Sequence, residues 1–237
     1  MSAITRNVHV LWAGPGFALD LSKVINEISV PSANEYDNDE VMGETYVPQE
    51  LVGHSRSAST SSLRTGPMSR ELKQRPSGSL FVIDANPAIP NHWDGGVSIH
   101  TGLAESGPST GRIVNTVNWQ QGNDVWINGT VAVPFAFTSA TMSVDLPTFT
   151  NDMRMFVVAT EKSVAAARVF RISDGSANAT GSITGSAGMV EIDISGLASS
   201  VPSGTMDTQA ALASGQTVSG WVLGGTEYAA PNPPARS

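Results

Sequence analysis

The sequence predicts an all-β protein, an antiparallel β-sandwich with long N-terminal loops. Three observations lead to this prediction. Apolar and polar residues alternate over several short segments, these segments recur at intervals of about ten residues, and Gly, Pro, Ser, Thr and Asn fill the stretches between them. Alternation with a period of two is typical of a strand buried on one face. Short strands joined by frequent turns are typical of sandwiches and barrels.

The composition indicates a folded, turn-rich chain. Of its 237 residues, 40% are apolar, 14% are charged, 23 are Gly and 14 are Pro. A chain of this length buries a core in one large β domain or two smaller ones. The formal net charge of −8 argues against a nucleic-acid-binding role, because no positive field would gather phosphates. Because the chain has no Cys, disulfides and Cys-ligated zinc are excluded.

The clearest strand signal lies between residues 113 and 149. Within residues 125–137 every odd position is apolar or Gly, which predicts one continuous apolar face. Residues 113–119 alternate more weakly, and the polar stretch 120–124 between the two segments predicts a hairpin. Trp126 is out of phase with the apolar face. We therefore expect it to be exposed, covered by a second layer, or covered by a partner.

Further strands are predicted before and after this stretch. For two other segments, the pattern fits a helix and a strand equally well. Residues 17–30 and residues 164–172 contain apolar positions that fit either period. In the last third of the chain, Val190, Ile192 and Ile194 are expected on one face of a strand. The other predicted strands are residues 7–12, 80–84, 97–100, 142–146, 153–159 and 217–223.

We predict three parts along the chain. Residues 1–110 are expected to form an N-terminal β region with an extended charged loop at 35–78, residues 111–224 a β-sandwich core, and residues 225–237 a disordered tail. The boundary follows the Gly, Pro, Ser and Thr residues of 102–112, a composition typical of a linker. The Pro-rich end of the chain predicts fraying.

Two blocks of opposite charge occupy the predicted loop. Residues 35–50 carry six carboxylates and no basic residue, and the basic residues that follow, up to Arg75, face only Glu71. Such blocks pair within one chain or between identical copies in a symmetric assembly. The candidate interface residues selected from these blocks, together with Trp126, are Glu35, Asp37, Asp39, Glu40, Arg56, Arg64 and Arg70.

No motif predicts an enzyme. Residues 53–57 resemble a G-x-S-x-G nucleophile elbow, but Ser57 stands where the second Gly belongs. His92, His100 and Asp94 flank one predicted strand, yet no His of the chain lies in an H-E-x-x-H or H-x-H pattern. We therefore expect no catalytic residue, no cofactor and no metal site.

The N-terminal part resembles the tail tube proteins of long-tailed bacteriophages. The resemblance spans roughly residues 7–65 and consists of a strand-turn run at 8–14, the run 19–22, an Ile/Val segment, and an acidic stretch before a Gly/Ser-rich region. It implies a tail-tube-like β-sandwich with an extended loop, assembled into stacked rings around a DNA channel with an acidic lining. Residues 163–223 are more similar to the jelly-roll modules of virion decoration and fibre proteins.

The sequence thus predicts a non-enzymatic virion structural protein, made in the host cytoplasm. A tail tube subunit is the first hypothesis. The alternative is a capsid decoration or fibre-type module that binds carbohydrate or a partner protein, with Trp93 or Trp126 exposed. Expected partners are copies of the chain and other virion proteins. Sequence-specific nucleic acid and membranes are not expected, since no window approaches the ~20 apolar residues that span a bilayer.

Overall fold

The computed structural model describes residues 8–22, 25–29, 32–38, 49–63, 71–72, 74–75, 77–84, 91–106, 114–120 and 126–227. The predicted all-β fold is confirmed for this part of the chain, where every strand pair is antiparallel. The strands are β1 (Val8–Gly14), β2 (Phe17–Asp20), β3 (Ile25–Ser29), β4 (Ser32–Asn38), β5 (Gln49–Leu63), β6 (Ser77–Asp84), β7 (Trp93–Ser106), β8 (Val114–Gln120), β9 (Trp126–Phe137), β10 (Ser143–Leu146), β11 (Phe149–Thr150), β12 (Arg154–Lys162), β13 (Arg168–Ser173), β14 (Asn178–Ile183), β15 (Gly188–Ile192), β16 (Ser200–Val201), β17 (Gly204–Thr208) and β18 (Val218–Glu227).

The largest sheet is nearly closed into a barrel. Its strands follow the order β15-β12-β18-β9-β7-β6-β1-β2, and β3, β4, β5 and β8 are attached to it. The two ends of this path approach each other, because a Cβ at Gly188 in β15 would lie 3.2 Å from the backbone nitrogen of Gly16, next to β2. Closing a sheet protects edges that would otherwise present unpaired backbone groups.

Aromatic rings fill the interior of the barrel. Phe81 and Trp93 have ring centroids 5.2 Å apart, and Phe156 lies 5.5 Å from the first and 6.3 Å from the second. Successive residues of a strand point to opposite faces, so the neighbours of these residues lie outside the barrel. The remaining buried residues of the interior are Leu11, Ala13, Ala18, Ile83, Ile127, Ala132, Val158 and Leu223.

A second core lies outside the barrel and forms a sandwich. The outer face of β9, β12, β15 and β18 packs against a four-stranded sheet of order β10-β17-β13-β14. Phe135 stacks on Phe137 at 4.9 Å and contacts Phe170 of the facing sheet at 5.9 Å. Val190, Ile192 and Ile194, predicted to share one face, all contribute to this core, with Val190 partly buried at its margin.

A third apolar cluster covers the outer face of β1 and β6. It holds Trp12, Trp119 and Trp126 together with Leu72, which lies in a short stretch of helical backbone. The Trp12 and Trp119 ring centroids are 4.8 Å apart. Trp126 is 2% exposed, so a second layer of the same chain covers it, one of the three outcomes expected from its phase.

The hairpin predicted between residues 113 and 137 is wrong. In the described part of the chain, β8 and β9 both pair with β7, and neither pairs with the other. His100 of β7 lies between Ser77 of β6 and Gln120 of β8, and Trp93 lies in the same way between β6 and β9. β8 and β9 therefore follow one edge of β7 in the same direction.

The single apolar face predicted for residues 125–137 is also wrong, because β9 contains a β-bulge. Gly129 and Val131 pair with consecutive residues of β18, so Thr130 is an extra residue. A one-residue slip moves the following side chains to the other face of the sheet. Val131 consequently faces the sandwich core, whereas Ile127 faces the barrel interior.

Strands replace other expected features. The range 35–78 of the expected loop contains part of β4, all of β5 and the start of β6. The first three residues of the expected tail, 225–227, belong to β18, and residues 228–237 lie outside the described residues. The first ambiguous segment contains β2 and β3; in the second, residues 164–167 are an exposed loop before β13. Strand pairing overrides the weak β propensity of the Ser-rich β5.

One sheet joins strands from both sides of the boundary expected near residue 110, since β7 pairs with β9. The division into separate folding units stays a prediction. Among the described residues, no helix has the length and apolar character needed to cross a membrane.

Candidate interaction surfaces

A long two-stranded ribbon extends from the barrel sheet. β5 has 15 residues and changes partners along its length. Its second half pairs with β3 on one edge and with β8 on the other, from Ser57 to Leu63. Its first half, from Gln49 to Arg56, pairs with β4 and with no other described strand. At ~3.4 Å per residue, this half of β5 extends about 27 Å beyond the end of β8.

The ribbon has two edges that no described strand covers. β4 pairs with β5 alone, and the first half of β5 pairs with β4 alone. A two-stranded ribbon by itself is marginally stable in water, and an uncovered edge offers a row of N–H and C=O groups to another strand. The ribbon therefore has the geometry of a segment that another strand would stabilise by pairing with its edge.

Three of the candidate interface residues lie in this ribbon. Glu35 is opposite Gly53 and Asp37 is opposite Glu50, while Arg56 is opposite Ser32. The acidic and basic positions are thus on neighbouring strands but not directly across from each other. The candidates Asp39, Glu40, Arg64 and Arg70 lie outside the described residues. Trp126, buried within its own chain, provides no surface for a partner.

The tryptophans do not form an exposed platform. Trp12, Trp93, Trp119 and Trp126 are at most 2% exposed. Trp221 is half-buried at the end of the barrel, where its ring centroid lies 5.0 Å from that of His9. The expectation that Trp93 or Trp126 is exposed for sugar stacking is therefore wrong. Their burial follows from the three apolar clusters, which place aromatic side chains on both faces of the barrel wall.

The residues considered for chemistry do not assemble into a site. The Nε2 atom of His92 lies 3.7 Å from an Oδ atom of Asp94, but His100 lies six residues beyond Asp94 along β7, or about 20 Å in an extended strand. Within the described residues, no group of three or more His, Asp or Glu side chains could hold a metal ion. Ser55 lies inside β5 opposite Ala33, without the sharp turn of a nucleophile elbow.

Two loops at one end of the sandwich expose small apolar residues among polar ones, and sequence reasoning missed this feature. Two loops, residues 163–167 and residues 209–217, meet at one end of the four-stranded sheet, where the Ser163 N–H donates to the Thr217 carbonyl at 3.0 Å. We call their exposed apolar residues the sandwich tip. Val164, 37% exposed, is the most prominent of them. The sandwich tip comprises Val164, Ala165, Ala166, Ala167, Ala210, Ala211 and Ala213. The Ala-rich sequence of these loops has no clear helix or strand periodicity from which the sandwich tip could be predicted.

Two cations hold the sandwich tip in place. The buried Nζ of Lys162 donates to the carbonyls of Ala166, at 3.0 Å, and Ile183, at 2.8 Å. The Arg168 guanidinium donates to the Ala210 carbonyl and to Oε1 of Gln216, both at 3.2 Å. Burial lowers the pKa of Lys162, and the nearby charge of Arg168 lowers it further. Neither cation forms an ion pair with a carboxylate in the part of the chain that the structure describes.

An acidic side chain organises the opposite end of the same sheet. Oδ1 of Asp174 accepts hydrogen bonds from the backbone N–H groups of Ser176, at 2.7 Å, and Ala177, at 2.6 Å. Oδ2 accepts another from Ala198 at 2.8 Å. These donors, those of Ala177 and Ala198 first, lower the pKa of Asp174. The contact ties the β13–β14 turn, where Gly175 has a φ of 91°, to a distant loop.

Comparisons with known proteins give little beyond this geometry. No family model matches the chain, and no curated protein matches it. Among solved structures it is similar to the Dit protein of phage SPP1, described as a paradigm of the hub adsorption apparatus in phages that infect Gram-positive bacteria. The TM-score is 0.36 and the identity 10%, over 94% of this chain and 99% of that one. At this TM-score and identity, neither the detailed fold nor the function of this chain can be inferred from the Dit protein.

Proposed function

We propose that this chain is a non-enzymatic structural subunit of a phage virion, and specifically a tail tube subunit that assembles with copies of itself into stacked rings. The observation that carries the proposal is the half-paired strand β5. One half belongs to the barrel sheet, and the other half forms a ribbon with β4 whose outer edges are covered by no strand among the described residues. A rigid body with a projecting ribbon is suited to joining identical neighbours.

Two further observations support this proposal. The resemblance over roughly residues 7–65 implies a sandwich with an extended segment, and both strands of the ribbon, residues 32–38 and 49–56, lie within that range. The net charge of −8 suits a channel through which DNA slides, because like charges do not adhere. The burial of Trp93 and Trp126 removes the observation that favoured a carbohydrate-binding module.

Negative-stain electron microscopy of the purified full chain, with light scattering on the same sample, tests the proposal. We expect rings or short tubes whose fraction rises with protein concentration. Ala33→Pro in β4 removes a backbone N–H from the ribbon, so this variant should lose the rings and keep the melting temperature of the barrel and sandwich. Ala33→Ser is the matched control and should assemble. A chain that stays monomeric at high concentration would contradict the proposal.

A further inference from the structure

We propose that residues 97–99 of β7 form a hinge between the barrel and an arm of the sheet, and that Trp119 holds the arm at one angle. The arm consists of β3, β8, residues 57–63 of β5 and residues 101–106 of β7, which pair with one another. Among the described strands, only β7 pairs both with strands of the arm and with strands of the barrel. The inference concerns the single subunit and goes beyond the proposed function.

The first argument is a β-bulge in β7. On the β6 side, Leu80 lies opposite Gly96. Gly78, two residues earlier in β6, lies opposite Ile99, three residues later in β7. β7 therefore contains one residue more than β6 over this stretch. A bulge bends the strand that contains it and increases its local twist, so β7 bends where it passes from the barrel into the arm.

The second argument is the other edge of β7, where pairing is interrupted at the same point. Pairing with β9 ends at Gly96, and pairing with β8 begins at His100. Three residues of β7, 97–99, lie between these pairs, whereas five residues of the chain, 121–125, connect β8 to β9. A one-to-one ladder cannot continue across unequal lengths. Regular pairing is thus broken on both edges within one short segment, and hinges are short segments that absorb changes in φ and ψ.

The third argument is an aromatic contact at the base of the arm. Trp119 of β8 is 0% exposed, and its ring centroid lies 4.8 Å from that of Trp12 in the barrel strand β1. Trp12 is itself held in place, because its Nε1 atom donates to the Arg75 carbonyl at 3.2 Å and Leu72 packs into the same cluster. Closely packed side chains have few alternative arrangements. The contact between the two indoles therefore sets the angle between the arm and the barrel.

The ribbon follows the arm. β5 is continuous from one to the other, since residues 57–63 pair with β8 and residues 49–56 pair with β4. A change of angle at residues 97–99 therefore changes the direction in which the ribbon points. The hinge thus controls the orientation of the segment whose edges no described strand covers.

Distance measurements between two spin labels test the role of Trp119. The chain has no Cys, so Thr116→Cys in the arm and Asp152→Cys in the exposed turn before β12 carry the labels. By double electron–electron resonance, we expect one narrow distance distribution in this background, and a broadened or shifted one when Trp119→Ala is added. Trp119→Phe keeps an aromatic ring against Trp12 and should restore the narrow distribution. Phe135→Ala is the control, since it opens a cavity in the sandwich core and should leave the distribution narrow.

An unchanged distribution in Trp119→Ala would overturn the role of this indole. Where circular dichroism shows that Trp119→Ala does not fold, Trp119→Leu replaces it, with the same outcomes. Hydrogen exchange of the wild type tests the hinge separately. The amides of residues 97–99 should exchange faster than those of residues 93–96, which pair on both edges of the same strand. Equal protection would overturn the hinge, and neither result bears on ring assembly, which electron microscopy tests.

Discussion

The indole of Trp93 lies directly against the backbone of Gly129. A Cβ at Gly129 would fall 1.9 Å from the Nε1 atom of Trp93, which donates hydrogen bonds to the carbonyls of Val131, at 2.9 Å, and Gly224, at 3.1 Å. These contacts surround the β-bulge at Thr130, where β9 changes from facing the barrel to facing the sandwich. Trp93 and Gly129 therefore hold the junction between the two cores.

We expect Gly129→Ala to destabilise the protein strongly. The added methyl group overlaps an indole that is 0% exposed and has no space to move. Overpacking of this kind costs about 1–3 kcal/mol, and occasionally more, so we expect a loss of about 3 kcal/mol in the free energy of unfolding by urea denaturation. Gly196→Ala is the control, since nothing lies within 4 Å of its Cβ position. Equal stability of the two variants would contradict the described contact.

Trp93→Phe tests the same junction from the other side. The substitution leaves two buried carbonyls without their donor, which costs about 1–3 kcal/mol. The smaller ring also makes room beside residue 129, so Gly129→Ala should cost less in the Trp93→Phe background than in the wild type. A double-mutant cycle measures this coupling, expected to be about 0.5–3 kcal/mol. Additive effects would show that the two residues do not interact.

Lys162→Met tests the buried cation beneath the sandwich tip. The substitution keeps the length of the side chain and removes the donor to two carbonyls, so we expect a loss of about 1.5–3 kcal/mol in the free energy of unfolding near neutral pH. Retention of full stability by Lys162→Met would contradict the role assigned to this amine.

The lowered pKa of Lys162 predicts a pH dependence. Between the folded pKa and the unfolded value of 10.5, the unfolded chain binds more protons at this site. Stability therefore rises with pH across this window. Wild type should gain stability relative to Lys162→Met as the pH approaches 10.5, measured by denaturation at a series of pH values. A constant difference between the two proteins would show that burial does not perturb the amine.

Asp174 predicts a pH dependence of the same direction in the acid range. Its pKa in the folded chain is lowered from 3.8, so its contribution to stability is present above that value and is lost as the pH falls through the folded pKa. Calorimetry of Asp174→Asn should show a lower melting temperature than wild type at about pH 7 and a smaller difference at about pH 2. The exposed Asp152→Asn serves as control, and a difference independent of pH would contradict the hydrogen bonds described.

The local sequence pattern was sufficient to predict the fold class and the positions of many strands. An almost unbroken apolar run located β12, and residues 217–223 were predicted as the strand that is β18. Alternation of apolar and polar residues located β15 and placed Ile192 and Ile194 on one face. These features depend only on the geometry of an extended chain, whose side chains point alternately to opposite faces. The charge blocks at residues 35–75 were equally visible, because they are a property of composition.

Only the tertiary structure decided which strands pair. The polar residues 120–124 have the composition of a turn, yet β8 and β9 follow the same edge of β7. The extra residue Thr130 exchanges the two faces of β9, and it left no mark in the alternating pattern because Gly129 fits either face. Pairing depends on backbone groups that every residue carries, so residues far apart in the chain determine it. The Ser-rich strand β5 and the sandwich tip arise from such distant contacts.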